Sequence, residues 1–119
     1  MAKFLFVLGA GLYNSNSPTR CLQFAQVAHQ EGHEVSIFLI DEGVVIARKG
    51  ATENLVAPSG EEADVAMEYI IQHNIPVYVC TPCAKARHVT EDQLIEGAQY
   101  AVGKDLIRMA ADSKVLTFS

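Results

Sequence analysis

Val77-Tyr78-Val79-Cys80-Thr81-Pro82-Cys83-Ala84-Lys85-Ala86-Arg87 is the stretch on which the reading of this chain turns. A β-branched and aromatic run of this kind suits a buried strand, and Pro82 cannot continue a ladder, so the strand ends near Cys80. Its sulfur should face a loop. In a parallel sheet that loop lies on the edge where open α/β folds place their ligands. Cys83 follows three residues later, and the cations Lys85 and Arg87 come directly after it. Neighbouring cations favour the thiolate, the reactive form of cysteine, so the Cys80 pKa is expected below its ordinary value.

Outward from this stretch the chain alternates strands with helices. Residues 3–9 read as a first apolar strand. Ser17 offers an N-cap and Pro18 the first helical position, and the helix places Cys21, Phe24, Ala25 and Ala28 on one face before ending near Gly32. A strand over 35–40 closes at Asp41, and a short helix over about 43–49 stops at Gly50. Ser59-Gly60-Glu61-Glu62 has the spacing of a capping box, and its helix shows Ala63, Ala66, Tyr69 and Ile70 on one face. Thr90-Glu91-Asp92-Gln93 is a second such box. A brief strand over 100–102, a helix over about 103–112 and a strand over 115–118 complete the order. Almost wholly apolar strands separated by helices mean a parallel sheet covered on both faces. The expected fold is a single flavodoxin-like α/β/α domain over residues 1–119, with a mostly parallel sheet of about five strands.

Composition narrows the function. With 119 residues the chain is one domain. Three cysteines, an odd count, argue against a disulfide framework and for a reducing, cytoplasmic compartment. Half the residues are hydrophobic and the mean hydropathy is +0.15, which is more apolar surface than one small core hides, so a homo-oligomer is expected. A net charge of −5 and a pI near 5.2 disfavour nucleic acid. The opening Lys3, the run Phe4 to Leu8 and Gly9-Ala10-Gly11 imitate a signal peptide, but the run is short and flows into a helix start, so a buried strand is the better reading. No stretch approaches the ~20 apolar residues of a membrane span.

Three strand-end loops should meet on one edge: residues 9–17, Asp41-Glu42-Gly43, and residues 80–88. Tyr13, Asn14, Ser15, Ser17 and Asp41 are therefore candidate walls of a polar pocket at Cys80, with Lys85, Arg87 and His88 beside them. A dinucleotide fingerprint fails, because its third glycine would stand at position 14, which is Asn14. Cys-x-x-C has three established meanings. A thioredoxin-type redox pair is the first, but here the motif comes late and no proline follows Pro82. Zinc held by Cys80, Cys83 and His88 is the second, but a second paired cluster is missing. The third is a thiol that carries sulfur, with a neighbour able to resolve it as a disulfide. Cys21, on the apolar face of the first helix, reads as packing. His29, His33 and His73 sit at helix ends.

From end to end the chain resembles the DsrE/DsrF-like family of small sulfur-relay proteins. The resemblance rests on the opening strand and loop with Tyr13, Ser15 and Ser17, on Glu31-Gly32-His33-Glu34-Val35, and on Asp41-Glu42-Gly43-Val44. The strand from Pro76 to Cys80 and the closing Val115-Leu116-Thr117-Phe118 also fit. It implies a flavodoxin-like subunit assembled as trimers or hexamers, with a strand-end cysteine, here Cys80, carrying sulfur as a persulfide between donor and acceptor proteins. Sulfurtransferase-type chemistry of this kind calls for no cofactor. Cys83, the candidate resolving thiol, departs from the single-cysteine pattern of sulfur carriers, and His88 stands where relatives often have glycine. A dithiol/disulfide redox protein and a non-catalytic oligomeric binding or regulatory subunit are the alternatives.

Overall fold

The computed structural model describes residues 1–13 and 16–119; the candidates Asn14 and Ser15 lie outside the described residues. Five strands, β1 (Lys3–Leu8), β2 (Glu34–Leu39), β3 (Val77–Cys80), β4 (Ala98–Ala101) and β5 (Lys114–Phe118), form one sheet in the order β4-β3-β2-β1-β5. Every ladder in it is parallel, with Phe6 opposite Ile37 and Leu116, and Cys80 opposite Ala101. Between the strands lie four helices: α1 (Ser17–Gln30), α2 (Ala63–Gln72), α3 (Thr81–Ala86) and α4 (Gly103–Ala111). The first three crossovers step across the sheet in one direction and the last returns the whole way. With right-handed crossovers that reversal puts α4 alone on the opposite face. Accordingly α1 packs on α2, whereas Arg108 and Met109 of α4 lie over Leu5, Ser36 and Tyr78. The result is the expected α/β/α architecture.

The core is what solid apolar strands dictate. Leu5, Phe6, Leu8, Ile37, Phe38, Leu39, Val77 and Val79 are buried between the layers. From α1 the core takes Cys21, Leu22 and Ala25, while Phe24, expected on the same face, flanks it at 43 % exposure with its ring edge-on to Phe118. Cys21 is fully buried in the core, and burial pushes its thiol up to about 12. The helix ends as its glycine foretells, with Gly32 at φ +91° and the N–H of His33 bonded to the Ala28 carbonyl.

Three local expectations are corrected. Asn16, not Ser17, is the N-cap of α1, so Ser17 is its first helical residue and Pro18 its second. Ser59-Gly60-Glu61-Glu62 forms no capping box: α2 begins at Ala63, and Gly60 at φ +98° belongs to a turn closed by its N–H on the Ala57 carbonyl. Glu61 is drawn instead to Ser59 and to Arg20 of α1, 3.1 Å away, and these partners hold its carboxyl down at about 2. The short helix expected over about 43–49 lies two residues earlier, over Asp41–Ala47, and is of the 3₁₀ type. Its tight winding seats Gly43 directly on the end of β1, where a Cβ would come 2.2 Å from the Leu8 carbonyl oxygen. The second box holds in part: Gln93 Oε1 accepts from the Thr90 N–H at 3.1 Å, opening a single 3₁₀ turn over Glu91–Gln93.

Candidate functional site

Cys80 is the last residue of β3 and the first flank of α3, with Pro82 seated in the first turn of the helix. A proline is accepted there because that turn has no intrahelical use for its N–H. Thr81 Oγ1 donates to the Ala101 carbonyl at 2.9 Å and fastens the turn to β4. Cys83 is the third residue of α3 and Cys80 its N-cap, a spacing of three that sets the two side chains as neighbours at the start of the helix. Cys80 is 9 % exposed and Cys83 half-buried. Cys83 Sγ meets Asp41 Oδ1 at 3.9 Å. Asp41 follows β2 with φ +47°, a left-handed conformation that aspartate tolerates better than most residues.

Arg87 reaches back across this cluster. Its Nη1 donates to the Cys83 carbonyl at 3.2 Å, and its Nε and Nη2 donate to Glu42 at 3.0 and 2.7 Å. That pairing holds the Glu42 carboxyl below, and the guanidinium above, their ordinary values. The expected depression of the Cys80 pKa is therefore not found. Burial pushes the thiol up, the favourable position of its own proton toward the Cys83 sulfur and the charges of Cys83 and Asp41 push the same way, and only the backbone of Cys83 opposes them. Arg87 is spoken for by Glu42, and Lys85 is exposed with no ion pair among the described residues. Cys80 thus rests as a thiol. In the Cys83→Ser background its alkylation midpoint should lie above the free-thiol value of about 8.5. Asp41→Asn should bring it down, whereas a midpoint below the free value would restore activation by cations.

The structure brings together Cys80, Cys83, Asp41 and Arg87, and adds Glu42, which the sequence marked only as part of a turn. His88, at φ +56°, is exposed just past α3. Ser17 is placed elsewhere, its Oγ donating to the Ser119 carbonyl at 2.9 Å beside β5. Tyr13, fully exposed, lines a cleft of about 510 Å³ between residues 9–13 of the loop after β1 and Glu42, Val45 and Arg48. Glu42 is the link between that cleft and the thiols. Among the described residues no group of three or more His, Cys, Asp or Glu is arranged to hold a metal ion. His29 Nδ1 meets the Tyr69 hydroxyl at 2.7 Å, and the N–H of Ala2 donates to His33 Nδ1 at 3.0 Å, so these two histidines brace the helices and the sheet edge.

The model of the DsrE/DsrF-like family matches residues 2–118. The chain belongs to the DsrE/DsrF-like family. An uncharacterised protein of Methanocaldococcus jannaschii is 38 % identical over 98 % of this chain and 99 % of its own length. The sulfurtransferase TusD of Serratia proteamaculans is 33 % identical, over 83 % of this chain and 74 % of that protein. Among solved structures, the ychN protein of E. coli superposes with a TM-score of 0.82 at 26 % identity, covering 99 % of this chain and all of that one. The family fold thus places the two thiols and Asp41 on the C-terminal edge of the sheet, at the ends of β3 and β2.

Proposed function

We propose that this chain is a sulfur-relay protein in which Cys80 accepts sulfane sulfur, holds it as a persulfide and passes it to a partner protein. The observation that carries this reading is a thiol at the end of a parallel strand and the start of a helix, in a family of sulfur-relay proteins whose relatives include a sulfurtransferase. The Cys80 thiolate attacks the outer sulfur of a donor persulfide, the donor leaves as a thiolate, and Cys80 is left as an anionic persulfide at the start of α3. Because Cys80 rests protonated, donor docking must also remove a proton, and Asp41 is the nearby carboxylate. Cys80, Cys83, Asp41 and Arg87 form the working site, with Glu42 holding Arg87. Tyr13, Lys85 and His88 stand at its rim, where donor and acceptor proteins would dock. The test is intact mass after incubation with a low-molecular-weight persulfide: Cys83→Ser should gain one sulfur, and Cys80→Ser none.

Assembly as a homotrimer or homohexamer belongs to the same proposal. β5 is an edge strand, and Val115 and Leu116 on its two faces are 43 % and 38 % exposed. Val27 of α1 and Ile107 of α4 are exposed as well, and α4 has no buried residue at all. An exposed apolar edge strand invites pairing unless another chain covers it. Light scattering should show an oligomer at micromolar concentration, and Leu116→Lys should shift it toward the monomer. A monomeric wild type overturns this part. No helix among the described residues is long and apolar enough to cross a membrane.

A further inference from the structure

We propose that Cys83 gives the Cys80 persulfide a second exit, the release of inorganic sulfide with closure of a Cys80–Cys83 disulfide. The inference rests on the persulfide reading above and adds a reaction to it. Two sulfurs can be attacked in a persulfide. A partner's thiolate that takes the outer sulfur leaves Cys80 as a thiolate, which is relay. A thiolate that attacks the inner sulfur, Cys80 Sγ itself, expels the outer one as hydrosulfide.

The fold presents such a thiol to the inner sulfur. Cys80 is the N-cap of α3 and Cys83 its third residue, a spacing that makes the two side chains neighbours at the helix start, and the turn between them is fastened to β4 by Thr81. Cys80 is 9 % exposed, so Cys83 has nearer access to that sulfur than any external thiol. Asp41 Oδ1, 3.9 Å from Cys83 Sγ, is placed to accept the proton as Cys83 attacks. The Cys83–Cys80 S–S bond forms, and the bond between Cys80 and the outer sulfur breaks with its electron pair on the leaving atom. The sulfane sulfur is reduced to sulfide, the two cysteines are oxidised to a disulfide, and the proton that Asp41 takes from Cys83 passes to the departing sulfur, so the outer atom of the anionic persulfide leaves as hydrosulfide. A dithiol reductant returns the protein to its starting state. Relay and release then compete for one intermediate, and the presence of a docked acceptor decides between them.

Anaerobic incubation of the reduced full chain with a slight excess of glutathione persulfide, with sulfide trapped by monobromobimane, tests this. Wild type should release one sulfide per chain above the protein-free background and lose two hydrogens in mass, with the disulfide mapping to Cys80 and Cys83. Cys83→Ser should keep the added sulfur and release none, and Cys80→Ser should do neither. A wild type that holds the added sulfur without releasing sulfide overturns the inference while leaving the relay reading intact. Sulfide released equally by Cys83→Ser overturns it too. If Cys83→Ser takes up no sulfur at all, the relay reading itself fails, and the inference with it.

Discussion

Sulfur uptake by Cys80→Ser should fall by roughly a hundredfold or more relative to Cys83→Ser, the loss expected when a nucleophile is removed outright. A hydroxyl of the same size keeps the hydrogen-bonding shape of the position but cannot form a persulfide. The other thiols make the comparison clean. Cys21 is fully buried and its pKa is pushed up to about 12, so it stays protonated and closed to donors. In Cys80→Ser, Cys83 remains as a half-buried thiol beside Asp41. Uptake that survives in Cys80→Ser and vanishes in Cys83→Ser would move the acceptor one helical turn along, to the more accessible cysteine. The pH dependence has a definite sign. Cys80 has its pKa raised, chiefly by burial, so uptake should climb through the range above the ordinary thiol value rather than level off below it.

Much of this arrangement could be read from the chain because strands and helix ends carry local signals. The strand Val77–Cys80 ends at Cys80, two residues before the proline that forbids its continuation, and Gly32 marks the close of α1. What could not be read depends on contacts between distant residues. Arg87 looks in sequence like a cation serving Cys80, yet its guanidinium spans 45 positions to Glu42 and is neutralised there. Glu61 looks like a helix cap, yet Arg20 and Ser59 claim its carboxylate. In both cases the side chain follows a charge partner brought close by the sheet, and local propensity yields to it. Neighbours in sequence supplied the right residue types and the wrong pairings. The Cys80–Cys83 contact is the exception, because a spacing of three at a helix start fixes that pair locally.

Gly43 is the position where the fold and the site depend on one atom. A Cβ there would lie 2.2 Å from the Leu8 carbonyl oxygen and 2.9 Å from its carbon, both backbone atoms of a central strand. Neither can give way without moving β1, because Leu8 is paired with both neighbouring strands, to Leu39 and to Phe118. The 3₁₀ segment must lift instead, and the buried Val44 and Ile46 lift with it. Gly43→Ala should therefore cost about 3 kcal/mol, the upper end of overpacking effects. For a domain of this size that is a fall in Tm of roughly 10–15 °C. Gly103→Ala is the control: no atom lies within 4 Å of its Cβ position and its backbone is ordinary, so it should be neutral or slightly stabilising. The same displacement carries Asp41 away from Cys83 and Glu42 away from Arg87. Below its melting point, Gly43→Ala should then load sulfur on Cys80 more slowly than wild type, measured on the Cys83→Ser background. A variant that melts early yet loads at the unaltered rate would show that the Asp41-Glu42 turn stabilises the sheet without serving the thiols.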